Sequence, residues 1–439
     1  MKKMVTTLMV VSLTGNIFPA INIVAIASLA LLYLARKEPS ARGMAGYGPE
    51  GARKWLVLAY AYWLLSYTAT GAPLSNLFSF EFVRFDGALL IAYLPLLLLT
   101  DFRLDPAHIR RCIGLFLTIL SVVALLGLGE FVDSTVVPLG LAALPEPLQL
   151  IHNASLATDI FHGFFRAHNA AGAIYAMATL VAFALLVHGK ESSLVSMPAV
   201  WLGCNFIGLA LTQSRTAYVA FLITLVLMFF GSKANLRKAV KFGALVLVPL
   251  LYFLLIQPAV NQRTEAVSNL EDPNVVSRFF YYQRALEAFI ESPIVGIGFG
   301  RFNDELKVYS GVPHVIYFAT AGKVVNDDAH AHNSYLHFLA EGGILGAGLM
   351  LAVWISAFRW VRQKKKIFAE GTYGFCLAQA LQACIVLQFV MSMTEHMMGT
   401  AISSLAIFTL LGLFLNLVGW KYRVASVVSS LRAAAEVAI

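Results

Sequence analysis

Residues 334–366 read SYLHFLAEGGILGAGLMLAVWISAFRWVRQKKK. The stretch is mostly apolar from Ser334 to Phe358, and then Arg359, Arg362, Lys364, Lys365 and Lys366 follow almost at once. About 20 apolar residues span the hydrocarbon core of a bilayer. A basic cluster at one end of such a run marks its cytoplasmic side. The segment therefore predicts a membrane-spanning helix with Lys365 inside and Ser334 outside.

The rest of the chain repeats this pattern. Of the 439 residues, 59% are hydrophobic and only 13% charged, and the mean hydropathy is +0.74. A soluble domain carries roughly 25% charged residues, so this chain uses lipid as its solvent. That excludes a cytosolic enzyme, a nucleic-acid module and a secreted disulfide scaffold. Cys112, Cys204, Cys376 and Cys384 lie in or beside apolar runs, too dispersed for a zinc site, and read as small core residues. Further apolar runs lie near 17–35, 54–72, 86–101, 112–128, 169–188, 197–213, 215–231, 240–258, 374–394 and 399–420, with a shorter one at 4–15. Lys2 and Lys3 resemble a signal-peptide start, but no small-residue cleavage site follows, so 4–15 counts as a span.

Charge sets the topology. With twelve spans and both ends cytoplasmic, the inner segments hold 23 of the 32 Lys and Arg but 7 of the 24 Asp and Glu, a net +16 that leaves −8 for the rest. The expected architecture is an all-α polytopic membrane protein. Its spans 1–9 fall in 1–258, a large outer loop in 259–333, and spans 10–12 with a cytoplasmic tail in 334–439. No internal repeat of the kind many transporters carry is visible.

The large loop has helical texture over 277–290, with apolar residues at 279, 282, 286, 289 and 290 on one stripe, Ser277 as N-cap and Pro293 beyond the end. Arg278 and Arg284, six residues apart, point in different directions. Gly296, Gly298 and Gly300 form a tight turn at the membrane surface. No strand precedes them, so they are not a dinucleotide fingerprint.

The polar residues among these runs carry the chemistry. Arg215 stands in Gln213-Ser214-Arg215-Thr216 between two spans with almost no loop, where a charge is costly and marks a functional pocket. His330, His332 and His337 follow Asp327-Asp328 where the loop re-enters the membrane. That pattern suits a divalent metal or acid–base chemistry, since an imidazole titrates near 6.5. His168-Asn169 opens one span, and Glu395-His396 closes another. Arg166, His168, Arg215, Arg278, His332 and His396 thus gather at the outer face, which suggests an anionic substrate such as a lipid-linked phosphate or pyrophosphate.

Four elements in order resemble the O-antigen ligase family. His332-Asn333, nine residues, then Gly343-Ile344-Leu345-Gly346 resembles its H-[NSQ]-x9-G-x-x-G signature. Ser214-Arg215-Thr216 is similar to its S-R-[ST] turn. Arg278 with Tyr282, Pro293, Gly296 and Gly298 resembles its loop helix, with tyrosine where tryptophan is common. His168-Asn169 resembles the step that opens its middle span. The resemblance implies a GT-C-like glycosyltransferase in the bacterial inner membrane with its active site facing the periplasm. It would transfer O-antigen from undecaprenyl pyrophosphate to a sugar hydroxyl of lipid A–core. His332 would be the base, and Arg215 and Arg278 would bind pyrophosphate. His168, Arg166, Asn333 and His396 would line the substrate site. No metal or other cofactor and no nucleic acid is implied. Gly342, Gly343 and Gly346 would let neighbouring helices approach and hold His332 in register, and Glu341 would pair with His337 one turn away. O-antigen polymerases and protein oligosaccharyltransferases share these motifs and differ in acceptor. A polyprenyl-glycan flippase is the reading from a different class, and it places its charges along a path through the membrane.

Overall fold

The computed structural model describes residues 48–71, 93, 95–97, 103–135, 151–154, 158–163, 165, 168–189, 196–230, 273–302, 330–399 and 401–437. The expected spans at 4–15, 17–35 and 240–258, most of 86–101, Arg166, Asp327, Asp328, and loop segments 259–272 and 303–329 lie outside the described residues.

The described elements in chain order are α1 (Glu50–Ala69), α2 (Pro106–Thr135), β1 (Ile151–Ala154), β2 (Thr158–Phe161), α3 (His168–His188), α4 (Ser196–Leu211), α5 (Arg215–Phe230), α6 (Pro273–Glu291), α7 (Ser334–Lys365), α8 (Tyr373–Met391) and α9 (Ala401–Val437). The chain is a helical, polytopic membrane protein. Among the described residues, five stretches are long and apolar enough to cross a membrane: Pro106–Phe131, His168–His188, Ser334–Lys365, Tyr373–Met391 and Ser403–Leu431. Two shorter apolar helices, Met197–Leu211 and Arg215–Met228, accompany them. One feature departs from the all-helical expectation: β1 and β2 form an antiparallel hairpin with Ile151 opposite Phe161.

Helix α3 is the axis of the bundle. Every residue from Ala170 to Val187 is buried, as expected of a helix that is apolar all round. It packs against α2, α4, α5, α8 and α9. Small residues set how closely these approach. A Cβ on Gly172 would stand 2.8 Å from the Ala217 Cβ and 2.9 Å from the Ser214 Cβ. The start of α5 therefore rests on α3 one turn above Asn169.

Helix α7 begins under a cap and ends on basic residues. Asn333 adopts extended backbone and its side chain accepts from the Tyr335 and Leu336 amides. Arg362, Lys364 and Lys365 in the last turn complement the negative helix end. Gly342 and Gly346 lie under the indole of Trp63 on α1, which also meets Phe299 and Phe338 at centroid distances of 5.0 and 6.0 Å.

Gly343 does something different from close approach. It sits at φ 58°, ψ −163° and breaks the helix, a conformation natural to glycine. The turn after α6 fills the break. Ile344 N and Leu345 N donate to Pro293 O (2.9 Å) and Ile294 O (3.3 Å), while Ile297 N and Gly298 N donate to Ala340 O (2.9 Å) and Glu341 O (3.1 Å). The Gly296, Gly298 and Gly300 turn is real, with φ of 73°, 110° and 74°, but it is docked into a transmembrane helix.

Helix α6 starts four residues before the expected cap at Ser277. Pro273 takes the first helical position, where its missing N–H costs nothing and its φ is already helical. Its buried face is Phe280, Tyr281, Ala285 and Ala288, whereas Phe279, Leu286 and Ile290 of the expected stripe face outward.

Candidate active site

Three chain segments converge on the carboxylate of a fourth. Glu395 sits in the turn between α8 and α9, its side chain only 7% exposed. Its Oε1 accepts from Arg278 Nη2 at 2.5 Å and from Asn169 Nδ2 at 2.6 Å. Its Oε2 lies 3.3 Å from His332 Nδ1. Behind it, Ser214 Oγ donates to Asn169 Oδ1 at 2.6 Å and Thr394 Oγ1 donates to Thr216 Oγ1 at 3.1 Å. Arg278 and His332, 54 positions apart in the chain, are thereby held by the same acceptor.

His332 is fixed from both sides. Its φ of 47° is left-handed, a conformation that costs a non-glycine residue about 1–3 kcal/mol and persists only where surroundings impose it. Its backbone N donates to His330 Nδ1 at 3.2 Å, and its carbonyl accepts from the Tyr282 hydroxyl at 3.4 Å. Tyr282 thus steadies the histidine at the position where the resembling family commonly has tryptophan. A carboxylate only accepts, so the contact with Glu395 puts the imidazole proton on Nδ1 and leaves Nε2 as the basic nitrogen. The ring is about one third exposed, at 32%, and open to a substrate.

Three helix N-termini meet here: α3 at His168, α5 at Arg215 and α7 at Ser334. They are tied together by the Asn169–Ser214 and Asn169–Glu395 bonds and by Ser334 N donating to Ser392 O. Helix N-termini carry partial positive charge and unsatisfied N–H groups, and together they favour an anion.

A second histidine layer lies beneath. His396 lies, with its ring tilted, 4.1 Å from His337 and 5.4 Å from His330, and His330 lies 4.4 Å from His332. Burial, with repulsion from neighbouring imidazoles, holds the His396 ring well below its ordinary pKa. Burial does the same for His330, reinforced by His332, His337 and Arg278. Both rings are thereby held neutral, so the fixed positive charge of the cluster comes from arginine. His337 Nε2 lies 3.4 Å from Glu341 Oε2, the expected pair, and Glu341 Oε1 also accepts from Phe302 N at 3.2 Å.

The other expected residues divide as follows. Asn333 caps α7 through its oxygen and binds Met393 O through its amide at 2.9 Å. Arg215 opens α5 between Ser214 and Thr216, both tied to the cluster. At the α3 terminus it is Asn169, next to His168, that reaches Glu395. Arg284 pairs with Glu287 along its own helix, so the two loop arginines do diverge. The reading from sequence passed over Glu395 and Asn169, although Glu395 is the single Asp, Glu, Lys or Arg between Glu370 and Lys421. Among the described residues no group of three or more His, Cys, Asp or Glu has the geometry to hold a metal ion.

A family model described as O-antigen ligase matches residues 198–351. Over this stretch the chain is similar to the O-antigen ligase family. The match runs from α4 to the middle of α7 and takes in Ser214, Arg215, Arg278 and His332, while Asn169 and Glu395 lie on either side of it. No curated protein matches the chain.

Proposed function

We propose that the protein is a membrane glycosyltransferase that moves an O-antigen glycan from undecaprenyl pyrophosphate to a sugar hydroxyl of lipid A–core. The observation that carries this reading is the shared carboxylate, which holds a basic imidazole and a guanidinium side by side at three helix N-termini. The family match supports the reaction class, and the donor and acceptor follow from the resemblance.

In the proposed step the acceptor hydroxyl attacks C1 of the donor sugar. The new O–C1 bond forms as the C1–O bond to pyrophosphate breaks, and the electron pair leaves with the phosphate. The hydroxyl proton passes to His332 Nε2, and Glu395 stabilises the imidazolium through Nδ1. Arg278 has five N–H donors, so it can bind phosphate while keeping its bond to Glu395. Arg215 is proposed as the second phosphate ligand, with planar paired donors that suit phosphate oxygens. His168, Arg166 and Asn333 are proposed to line or support the substrate site, with His396 packed beneath it. Attack from one face inverts the anomeric centre. The donor already carries its activation, so no metal, nucleotide or other cofactor is invoked.

We place the site at the periplasmic face of a twelve-span protein in the bacterial inner membrane, with 259–333 as the periplasmic loop. The cluster lies at the Ser334 end of α7, opposite its basic Arg359–Lys366 end, as the positive-inside rule requires. Gathering at helix ends favours a transferase over a flippase, whose charges belong near the midplane. The test is reconstitution with purified lipid-linked glycan and rough lipopolysaccharide. Glycan joined to lipopolysaccharide is the expected product. Elongation of the lipid-linked glycan alone would make the protein a polymerase, and transport without transfer would make it a flippase.

A further inference from the structure

Helix α6 is apolar on two opposite faces. One face packs Phe280, Tyr281, Ala285 and Ala288 inward. On the other, Phe279, Leu286 and Ile290 are 59%, 44% and 72% exposed. At 100° per residue these three fall within an arc of roughly 40°. Glu287 and Glu291 lie on one flank of that arc and Arg278 on the other. A globular loop in water has no reason to present such a row, while a helix lying in a membrane interface presents this pattern of apolar centre and charged flanks.

The chain beyond α6 extends the row to a surface whose depth can be reckoned. Pro293, Ile294 and Val295 are all exposed, and their turn fills the Gly343 break of α7. Ile344 and Leu345, which bond to it, are 60% and 48% exposed on the outside of a membrane-spanning helix. Leu345 lies 14 residues above Arg359, the start of the basic end. At about 1.5 Å per residue that is roughly 20 Å up a hydrocarbon core about 30 Å thick. The turn therefore sits below the boundary on the site's side of the membrane.

Irregular backbone at such depth is tolerated only when its polar groups are paired within the protein. Here they are. Pro293 O and Ile294 O accept from α7, and Ile297 N and Gly298 N donate back to it. Val295 O and Gly342 O both accept from the Tyr62 hydroxyl of α1 at 2.8 Å. The side chains facing out at this turn are apolar and its carbonyls turn in toward α7 and α1, an arrangement suited to hydrocarbon.

We propose that α6 and the Pro293–Val295 turn form a membrane seat, with Phe279, Leu286, Ile290, Ile294 and Val295 in the acyl chains of the leaflet on the site's side. The occupant of this surface is bilayer hydrocarbon. The seat fixes the depth of Arg278, one residue from Phe279, at the headgroup layer where a lipid-linked phosphate sits. The inference rests on the membrane-spanning reading and is independent of the glycosyl transfer, so each can fail without the other.

The test uses the full chain in nanodiscs of phosphatidylethanolamine and phosphatidylglycerol, with Cys204→Ala removing the half-buried thiol. Nitroxides are attached at Leu286→Cys, Ile290→Cys and Ile294→Cys, with Glu291→Cys as the flank control. Relaxation by oxygen, which concentrates in hydrocarbon, is compared with relaxation by a water-soluble nickel chelate. The expected result is oxygen access several-fold above nickel access at 286, 290 and 294, with the order reversed at 291. Nickel access at 290 and 294 equal to that at 291 overturns the seat. So does an immobilised label closed to both agents, which would mean that a protein surface covers the row. If the cysteine variants fail to fold, Ile290→Trp and Ile294→Trp replace them. Chain-brominated lipids must then quench their fluorescence beyond that of the six native tryptophans, and no added quenching overturns the proposal.

Discussion

His332 and His396 are two imidazoles of one cluster with opposite surroundings. His332 is one third exposed, held in left-handed backbone and aimed by a carboxylate. His396 is enclosed by His330, His337 and Phe338 and stays neutral by burial. The difference teaches that a histidine count says little about base chemistry. What makes a base is a free nitrogen with solvent access and a partner that stabilises the charged form, and only the upper layer has both.

The largest expected effect separates the two layers. His332→Ala should lower transfer by roughly 10²–10⁴-fold, the usual worth of a general base, with unchanged thermal stability. His396→Leu should keep most of its turnover. Equal inactivation of two well-folded variants in the reconstituted assay would break the comparison.

Next comes the residue that makes the layers unlike. Glu395→Gln keeps a carbonyl to accept from Arg278 and Asn169 but loses the charge that balances an imidazolium. Turnover should fall by about 10²–10⁴-fold, the span between losing a base and neutralising the carboxylate behind one. Donor binding, measured by competition, should change much less. A collapse of binding with normal turnover at saturation would assign Glu395 to Arg278 alone.

The arginines sharpen the same contrast on α6. Arg278 is bound to the shared carboxylate and Arg284 to Glu287 on its own helix. Lysine keeps the charge but loses the rigid fork. Arg278→Lys should therefore be severely impaired in steady-state transfer, and Arg215→Lys with it, while Arg284→Lys stays close to the parent. If Arg278→Lys is active, long-range attraction suffices and the paired-donor role is wrong.

How legible all this was follows the physics of each feature. The apolar runs at 169–188, 197–213, 215–231 and 374–394 correspond closely to α3, α4, α5 and α8, because hydropathy acts locally along the chain. His332, Arg215 and Arg278 were visible as polar residues in costly places. Glu395 was not. A lone acid among cations argues against an anion site when the chain is read in one dimension, and its role appears only when Asn169, Arg278 and His332 arrive from three other segments. The kink at Gly343 was hidden likewise, since a glycine within a span reads as close packing and only the docked turn shows otherwise. Ser277 misled because Pro273 starts the helix earlier by a different device.

The smallest effect concerns the lower layer and pH. Burial lowers the pKa of His330 and His396 well below the ordinary imidazole value. In the unfolded chain both titrate near about 6.5. Below that pH the unfolded state binds two protons that the folded state refuses, so stability is full above about pH 6.5 and drains away as pH falls toward the lowered folded values. Each unit of lowering amounts to about 1.4 kcal/mol per group once the pH has passed below the folded value. Unfolding midpoints in detergent should therefore drop steadily from pH 7 to pH 5. His396→Leu removes one titrating group while keeping an apolar side chain, and the drop should become shallower even if the midpoint at pH 7 is lower. An unchanged slope in that variant would mean that the acid sensitivity arises elsewhere and that the lower layer is not the neutral partner described above.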